Sequence, residues 1–291
     1  MGEIVGSALD AHVPPLVLPE DVRLELNHGR DFSIVDGLHR MRRECIDPLD
    51  ADTLIVLDTH WYTTFEWVVS AHDRRTGKFT SEELPRGNPQ MPYDFLGDPE
   101  LAFLVAEVAA ERADTWVHAS NDPYLPIHYA TVYLTPFLQA GERWMTVSTC
   151  QTAELNDMII FGEVLGEAIR RSDRRVVILA SGALSHKFWP LSQLRHHEGA
   201  DPNDLFSPEH RAADEQVIKW LEAGDHASVL ANYDEFRKFT PEGRFAHYVI
   251  MAAASGGAAW ESPGVPYSDY ENAAGTGQIH MWFPANSPDT I

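Results

Sequence analysis

The chain has 291 residues, 44% of them hydrophobic and 23% charged, which is enough apolar material for a sizeable core and unlike a disordered or fibrous protein. Its 22 Lys and Arg stand against 44 Asp and Glu, a net charge of -22. That sign repels phosphate backbones and anionic lipid, which argues against nucleic acid and membrane partners.

In chain order, residues 4–9 read as a short strand. It stops at Asp10-Ala11-His12-Val13-Pro14-Pro15, where two prolines forbid a helix and leave His12 just past the strand end. Leu38, Met41, Cys45 and Leu49 recur at helical spacing, predicting an amphipathic helix over 36–49. The apolar run Thr53-Leu54-Ile55-Val56-Leu57 is a buried strand leading to Asp58-Thr59-His60-Trp61. A strand follows over 65–71, and the Pro- and Gly-containing stretch 80–97 reads as a long loop.

Asp98-Pro99-Glu100 supplies a cap, a first-turn proline and an acid, opening a helix over 98–112. Strands are expected over 115–119 and 144–149, with a helix over 154–171. Residues 175–180 form the clearest buried strand, running into Ser181-Gly182-Ala183-Leu184-Ser185-His186. Helices over 208–223, 227–238 and 243–254 then precede a last strand over 278–283, and the Ala-rich segment after Met251 suits close helix packing. The alternation predicts one α/β domain over 1–291, three-layered, with a central mixed sheet flanked by helices.

Cys45 and Cys150 are far apart and outside any zinc-type spacing, as expected of buried thiols in a reducing compartment. No segment approaches 18 uncharged apolar residues, and the first residues lack a secretory pattern, so a cytoplasmic location is expected.

Walker-type, G-x-G-x-x-G, G-x-S-x-G and H-E-x-x-H signatures are all missing. Gly275-Thr276-Gly277 is explained by a tight turn. Of the 14 histidines, His39, His72, His210 and His226 lie among polar residues and read as surface groups, as does the His196-His197-Glu198 cluster. His12, His60 and His186 differ, because each follows a separate strand and folding can bring them together. Singly, each is more often a capped structural histidine. With Glu242, at the expected start of a helix, they supply two imidazoles and one carboxylate, a set that suits ferrous iron with open positions. A further imidazole titrates in the right range for an acid/base, and His186 fits that role.

These residues resemble the class III extradiol ring-cleavage dioxygenases, nearly end to end. The resemblance is carried by Ala11-His12-Val13-Pro14, Asp58-Thr59-His60-Trp61, the stretch from Glu83-Leu84-Pro85 to Gly97-Asp98-Pro99-Glu100-Leu101, Ala180 to His186, Glu242-Gly243 and Gly275-Thr276-Gly277-Gln278. It implies an enzyme with His12, His60 and Glu242 as ligands of Fe(II), His186 as acid/base, no organic cofactor, and a homo-oligomeric assembly. His128 would hydrogen-bond a substrate hydroxyl or an oxygen intermediate, or simply start a helix. The implied substrates are a catechol and dioxygen, giving a muconic semialdehyde. 3,4-Dihydroxyphenylacetate is the expected catechol and protocatechuate the alternative; a non-catalytic interaction module is the reading from another class. For a substrate carboxylate, Arg86, Arg244 and Lys187 are unranked candidates.

Overall fold

The computed structural model describes residues 1–83 and 89–285. Its strands are β1 (Glu3–Asp10), β2 (Thr53–Thr63), β3 (Trp67–Ser70), β4 (Arg74–Phe79), β5 (Met91–Leu96), β6 (Val117–Ser120), β7 (Arg143–Cys150), β8 (Arg175–Ser181), β9 (Val265–Pro266), β10 (Glu271–Ala273), β11 (Thr276–Gln278) and β12 (Met281–Pro284). Eight of them form one mixed sheet in the order β6-β3-β7-β2-β8-β1-β12-β9. β2 runs parallel to β7 and β8, and β8 parallel to β1, whereas β12 is antiparallel to β1.

Side chains alternate across a strand, and the central strands are apolar on both faces because both faces are covered. Ile55 and Leu57 of β2 join Ile178 of β8 under the helices Pro99–Ala110, Leu155–Arg171 and Ala246–Ala254. Leu54, Val56, Val177 and Leu179 face the other way, toward Ile34, Leu38 and Met41 of the helix Ser33–Met41. The result is the expected three-layer α/β arrangement. No helix among the described residues is long and apolar enough to cross a membrane.

The helix Ala246–Ala254 is fully buried and lies against Leu155–Arg171. A Cβ on Gly162 would sit 2.5 Å from Ala253 Cβ, and one on Gly166 would sit 2.6 Å from the Ala254 carbonyl. The alanines up to Ala254 therefore serve close helix packing, as their sequence suggests.

Several boundaries differ from the sequence reading. Residues 80–97 are not one long loop: Met91–Leu96 is a strand that pairs with β4 from Arg74↔Leu96 to Phe79↔Met91. Met91, Tyr93 and Phe95 carry a period of two that the neighbouring Pro and Gly residues mask. The helix over 36–49 instead begins at Ser33, and its last turns widen to a π-helix over Arg42–Ile46 and tighten over Asp47–Leu49 at Pro48. The last strand divides, since Thr276–Gln278 pairs with β10 and Met281–Pro284 joins the main sheet. His210 and His226 are buried, not surface groups. The His226 ring lies 2.8 Å from the Tyr248 hydroxyl and 2.9 Å from the Ser262 carbonyl and stacks on Trp260, so paired polar atoms make its burial tolerable.

The cap at Asp98 does more than start a helix. Its carboxylate accepts from Leu101 N at 3.2 Å, from the Thr53 hydroxyl at 2.6 Å and from Arg174 Nε at 3.0 Å, tying the helix to the first residue of β2. Asp98→Ala is expected to cost about 2 kcal/mol in urea unfolding, from the lost cap and the stranded Thr53 and Arg174 donors.

Candidate metal centre and active site

The adjacent strands β2, β8 and β1 end on the same edge of the sheet, the edge at which α/β folds collect ligands. His12 lies just beyond β1 in a chain that the two prolines keep out of a helix. His60 is not beyond its strand but within it. β2 continues to Thr63, and its pairing with β7 is broken between Leu57 and Tyr62. The break is shaped by Asp58, whose Oδ1 accepts from the backbone N of His60 at 2.9 Å and of Trp61 at 3.1 Å. Thr131 donates to the other oxygen at 2.7 Å. Such a bulge re-aims a side chain that regular pleating would place elsewhere.

Glu242 is likewise not the first residue of a regular helix. Gly243, Arg244 and Phe245 all have left-handed backbone angles, with φ of 54°, 60° and 64°, and the regular helix starts at Ala246. This turn returns the Glu242 carboxylate to the strand ends. There its Oε1 is 3.2 Å from His12 Nε2 and 3.0 Å from His60 Nε2, and Thr59 donates to it at 2.7 Å. Its Oε2 accepts from the backbone N of Ala183 at 2.7 Å. His12, His60 and Glu242 each offer a ligand atom, and these atoms lie within 4.8 Å of one another.

The donor chemistry of this cluster fits a metal. His12 Nδ1 is 2.9 Å from the Ser181 hydroxyl, the outer hydrogen bond that ligating imidazoles typically make to fix their tautomer. With Nδ1–H given to Ser181, the Nε2 lone pair faces the lone pairs of Glu242, an arrangement that a cation resolves. His60 Nε2 is buried and makes no well-directed hydrogen bond despite its closeness to Glu242. Two imidazoles and a carboxylate are the set found around non-haem iron.

Electrostatics keep the groups in useful states. Burial pushes the Glu242 carboxyl upward, but the neighbouring His12 and His186 and the close contacts of His12 and His60 overcome it, leaving the carboxyl well below its ordinary range. Burial pulls His60 down, yet the close contact and charge of Glu242 raise it overall. His186 Nε2 stands 3.8 Å from Glu242 Oε2, and burial lowers its pKa, favouring the neutral imidazole. Unlike His12 and His60, it lies five residues beyond its strand, and its backbone N donates to Thr240 O at 3.0 Å.

His128 precedes the short helix Tyr129–Val132, half-buried, with its ring stacked near Trp61 at 6.3 Å between centroids. It thus starts a helix, while its buried Nε2 has no hydrogen-bond partner among the described residues. Arg244 turns away: its guanidinium donates to Gln151 O at 2.6 Å and lies 2.9 Å from Glu154. The Lys187 ammonium lies over the Phe206 ring at 4.0 Å. Arg86 falls outside the described residues.

Sequence reasoning missed four neighbours. Thr59 and Ser181 stand inside quoted motifs, but hydroxyls so common carry no signal. Tyr129 packs on His60 at 3.8 Å between ring centroids, in contact with His12 as well. His247 is completely buried beneath Gly182, with neither ring nitrogen partnered among the described residues and its pKa pushed by burial down to about 3. Only a helical register from Glu242 could have placed it there, and the left-handed turn breaks that register.

An α/β protein with a two-histidine, one-carboxylate metal set at its strand ends is the class these observations define. Residues 6–283 match the family described as the catalytic LigB subunit of aromatic ring-opening dioxygenase. The chain is 31% identical over 242 residues to a 3,4-dihydroxyphenylacetate 2,3-dioxygenase of Escherichia coli, covering 81% of this chain and 85% of the relative. It is 26% identical over 221 residues to a 2-aminophenol 1,6-dioxygenase beta subunit of a Pseudomonas species, covering 72% and 69%. The crystal structure of an uncharacterized protein of Escherichia coli K12 shares the fold, with a TM-score of 0.57 at 14% identity, covering 84% of this chain and 91% of that one. The chain belongs to the LigB family of aromatic ring-opening dioxygenases, and it is an extradiol dioxygenase with a metal cofactor.

Because the imidazoles must be neutral to bind a metal, uptake displaces protons. His60 holds its proton above the usual histidine pH, so competition begins there and grows as the pH falls. Chelator competition is expected to show metal binding weaker at pH 6 than at pH 8 by about tenfold or more. A pH-independent affinity would contradict imidazole ligation.

Proposed function

We propose that the metal is ferrous iron, held by His12, His60 and Glu242, and that the enzyme cleaves 3,4-dihydroxyphenylacetate beside its diol to a muconic semialdehyde. Both atoms of dioxygen enter the product. The convergence of two imidazole nitrogens on one carboxylate oxygen at the sheet edge carries this reading. The identity to the E. coli 3,4-dihydroxyphenylacetate dioxygenase supports the substrate. We also propose a single catalytic domain, in keeping with the near end-to-end family match, in a cytoplasmic homo-oligomer.

Bound iron supplies a common meeting point for catechol and dioxygen, which removes much of the entropic cost of bringing them together. The protein's own groups do the rest. His186, kept neutral by burial, accepts a proton from a catechol hydroxyl at a ring nitrogen and later returns it to an oxygen of the opening ring. His128, also lowered by burial, donates or accepts a hydrogen bond at the substrate oxygens. Glu242 stays ionised throughout, and Tyr129 closes over the His60 ring.

Oxygen uptake by iron-loaded protein, tested against 3,4-dihydroxyphenylacetate, protocatechuate and 2-aminophenol, is expected to give the highest kcat/KM with the first. A higher value with either of the others reassigns the substrate, and no uptake with any of them removes the proposal.

His186→Ala is expected to retain iron and bind catechol anaerobically while turning over about a hundredfold more slowly. Glu242→Ala should lose the iron. Equal iron loss in the two variants would refute the division of roles between these residues.

A further inference from the structure

A second buried carboxylate lies behind the His186 segment. Asp214, on the helix Pro208–Glu222, is completely buried. Its Oδ1 accepts from the backbone N of Ser185 at 2.9 Å. Its Oδ2 accepts from the Ser185 hydroxyl at 2.7 Å and from the Tyr270 hydroxyl at 2.6 Å. Three donors offset part of the burial of this carboxyl, which no Lys or Arg pairs with among the described residues and whose pKa burial still pushes up to about 7.

The glycine-containing segment before the last strands belongs to the same cluster. A Cβ on Gly277 would meet Asp214 Oδ2 at 2.1 Å and the Tyr270 hydroxyl at 2.7 Å, so only glycine lets the carboxylate approach. Gly277 N donates to Ser185 O at 2.9 Å, and Leu184 N donates to Gly277 O at 3.0 Å. Ser185 is thereby held through its N, its O and its hydroxyl at once. Such complete anchoring of one residue is more than a loop needs in order to pack.

The residue next to it is His186, whose backbone is tied at its own N to Thr240 O. We infer that Asp214 is a positioning residue for His186: with Tyr270 and Gly277 it clamps Ser185 and so fixes where the acid/base imidazole stands relative to substrate. A displacement of about 1 Å in a reacting group lowers rates on the order of a hundredfold. The clamp reaches the metal set less directly, through Ala183 N on Glu242 Oε2.

The inference rests on the proposed role of His186, and a double-mutant cycle separates the two. Asp214→Asn keeps the shape and the acceptor for Ser185 N, but it puts an amide NH2 toward the two hydroxyls. In iron-loaded enzyme it is expected to lower kcat about tenfold, leaving iron content, anaerobic catechol affinity and the thermal midpoint near wild type. In a His186→Ala background the same change is expected to lower kcat by less than twofold. Tyr270→Phe, which removes a single donor, should show the same dependence on His186 with a smaller effect. An equal fold-loss with and without the His186 imidazole, for either variant, overturns the positioning role, as does wild-type kcat in Asp214→Asn. If Asp214→Asn fails to fold, Tyr270→Phe alone decides. His186→Ala with wild-type kcat would instead remove the role proposed for His186.

Discussion

The Glu242 carboxylate is the constraint on which the site depends. It is buried and charged, and burial alone would push its pKa up. What keeps it ionised is the convergence of a backbone N–H, a threonine hydroxyl and two imidazoles from β1, β2 and the segment after β8. Removing any one group leaves the others facing an undercompensated charge, so the site is built as a unit. The parallel neighbours β2, β8 and β1 matter because they bring those groups to one edge around a single carboxylate, Thr59 and the two imidazoles at Oε1 and Ala183 N at Oε2.

Around that charge the same loop serves several groups. Between Ser181 and His186 the chain holds His12 through the Ser181 hydroxyl, Glu242 through Ala183, and the His186 imidazole itself. Gly182 is required there for space, because a Cβ would sit 2.7 Å from His247 and 2.9 Å from the Thr59 methyl. The quoted run Ala180 to His186 is thus a chain of contacts in which nearly every residue has a separate physical task.

Much of this was legible in the sequence. Buried strands announce themselves as apolar runs, and His12 and His60 could be placed because polar motifs follow such runs directly. The Asp98 cap was legible because capping is local chemistry. What could not be read depends on distant parts of the chain. β5 was hidden because Pro and Gly outweigh a short alternation when no partner strand is visible. His226 and His210 looked like surface residues because sequence neighbours reveal polarity, whereas burial depends on Trp260, Tyr248 and Phe239. Asp214 carries no local signal at all, since its three donors come from Ser185 and Tyr270.

The left-handed turn at Gly243, Arg244 and Phe245 shows how the fold sustains an unfavourable backbone. Two non-glycine residues in that region cost on the order of 1 to 3 kcal/mol each, so neighbouring contacts must over-determine them. Phe245 is buried against Phe236 and Tyr248. Arg244 is held at both ends, with its carbonyl accepting from Tyr233 at 3.0 Å and its guanidinium bound to Gln151 O and Glu154. Beyond the turn, the helix Ala246–Ala254 is locked to its neighbour by contacts that only glycine and alanine permit. A continuous helix through Glu242 would relieve the backbone but rotate the carboxylate off the strand ends. The strain is therefore the consequence of asking one short segment both to present the Glu242 carboxylate at the strand ends and to enter a buried helix.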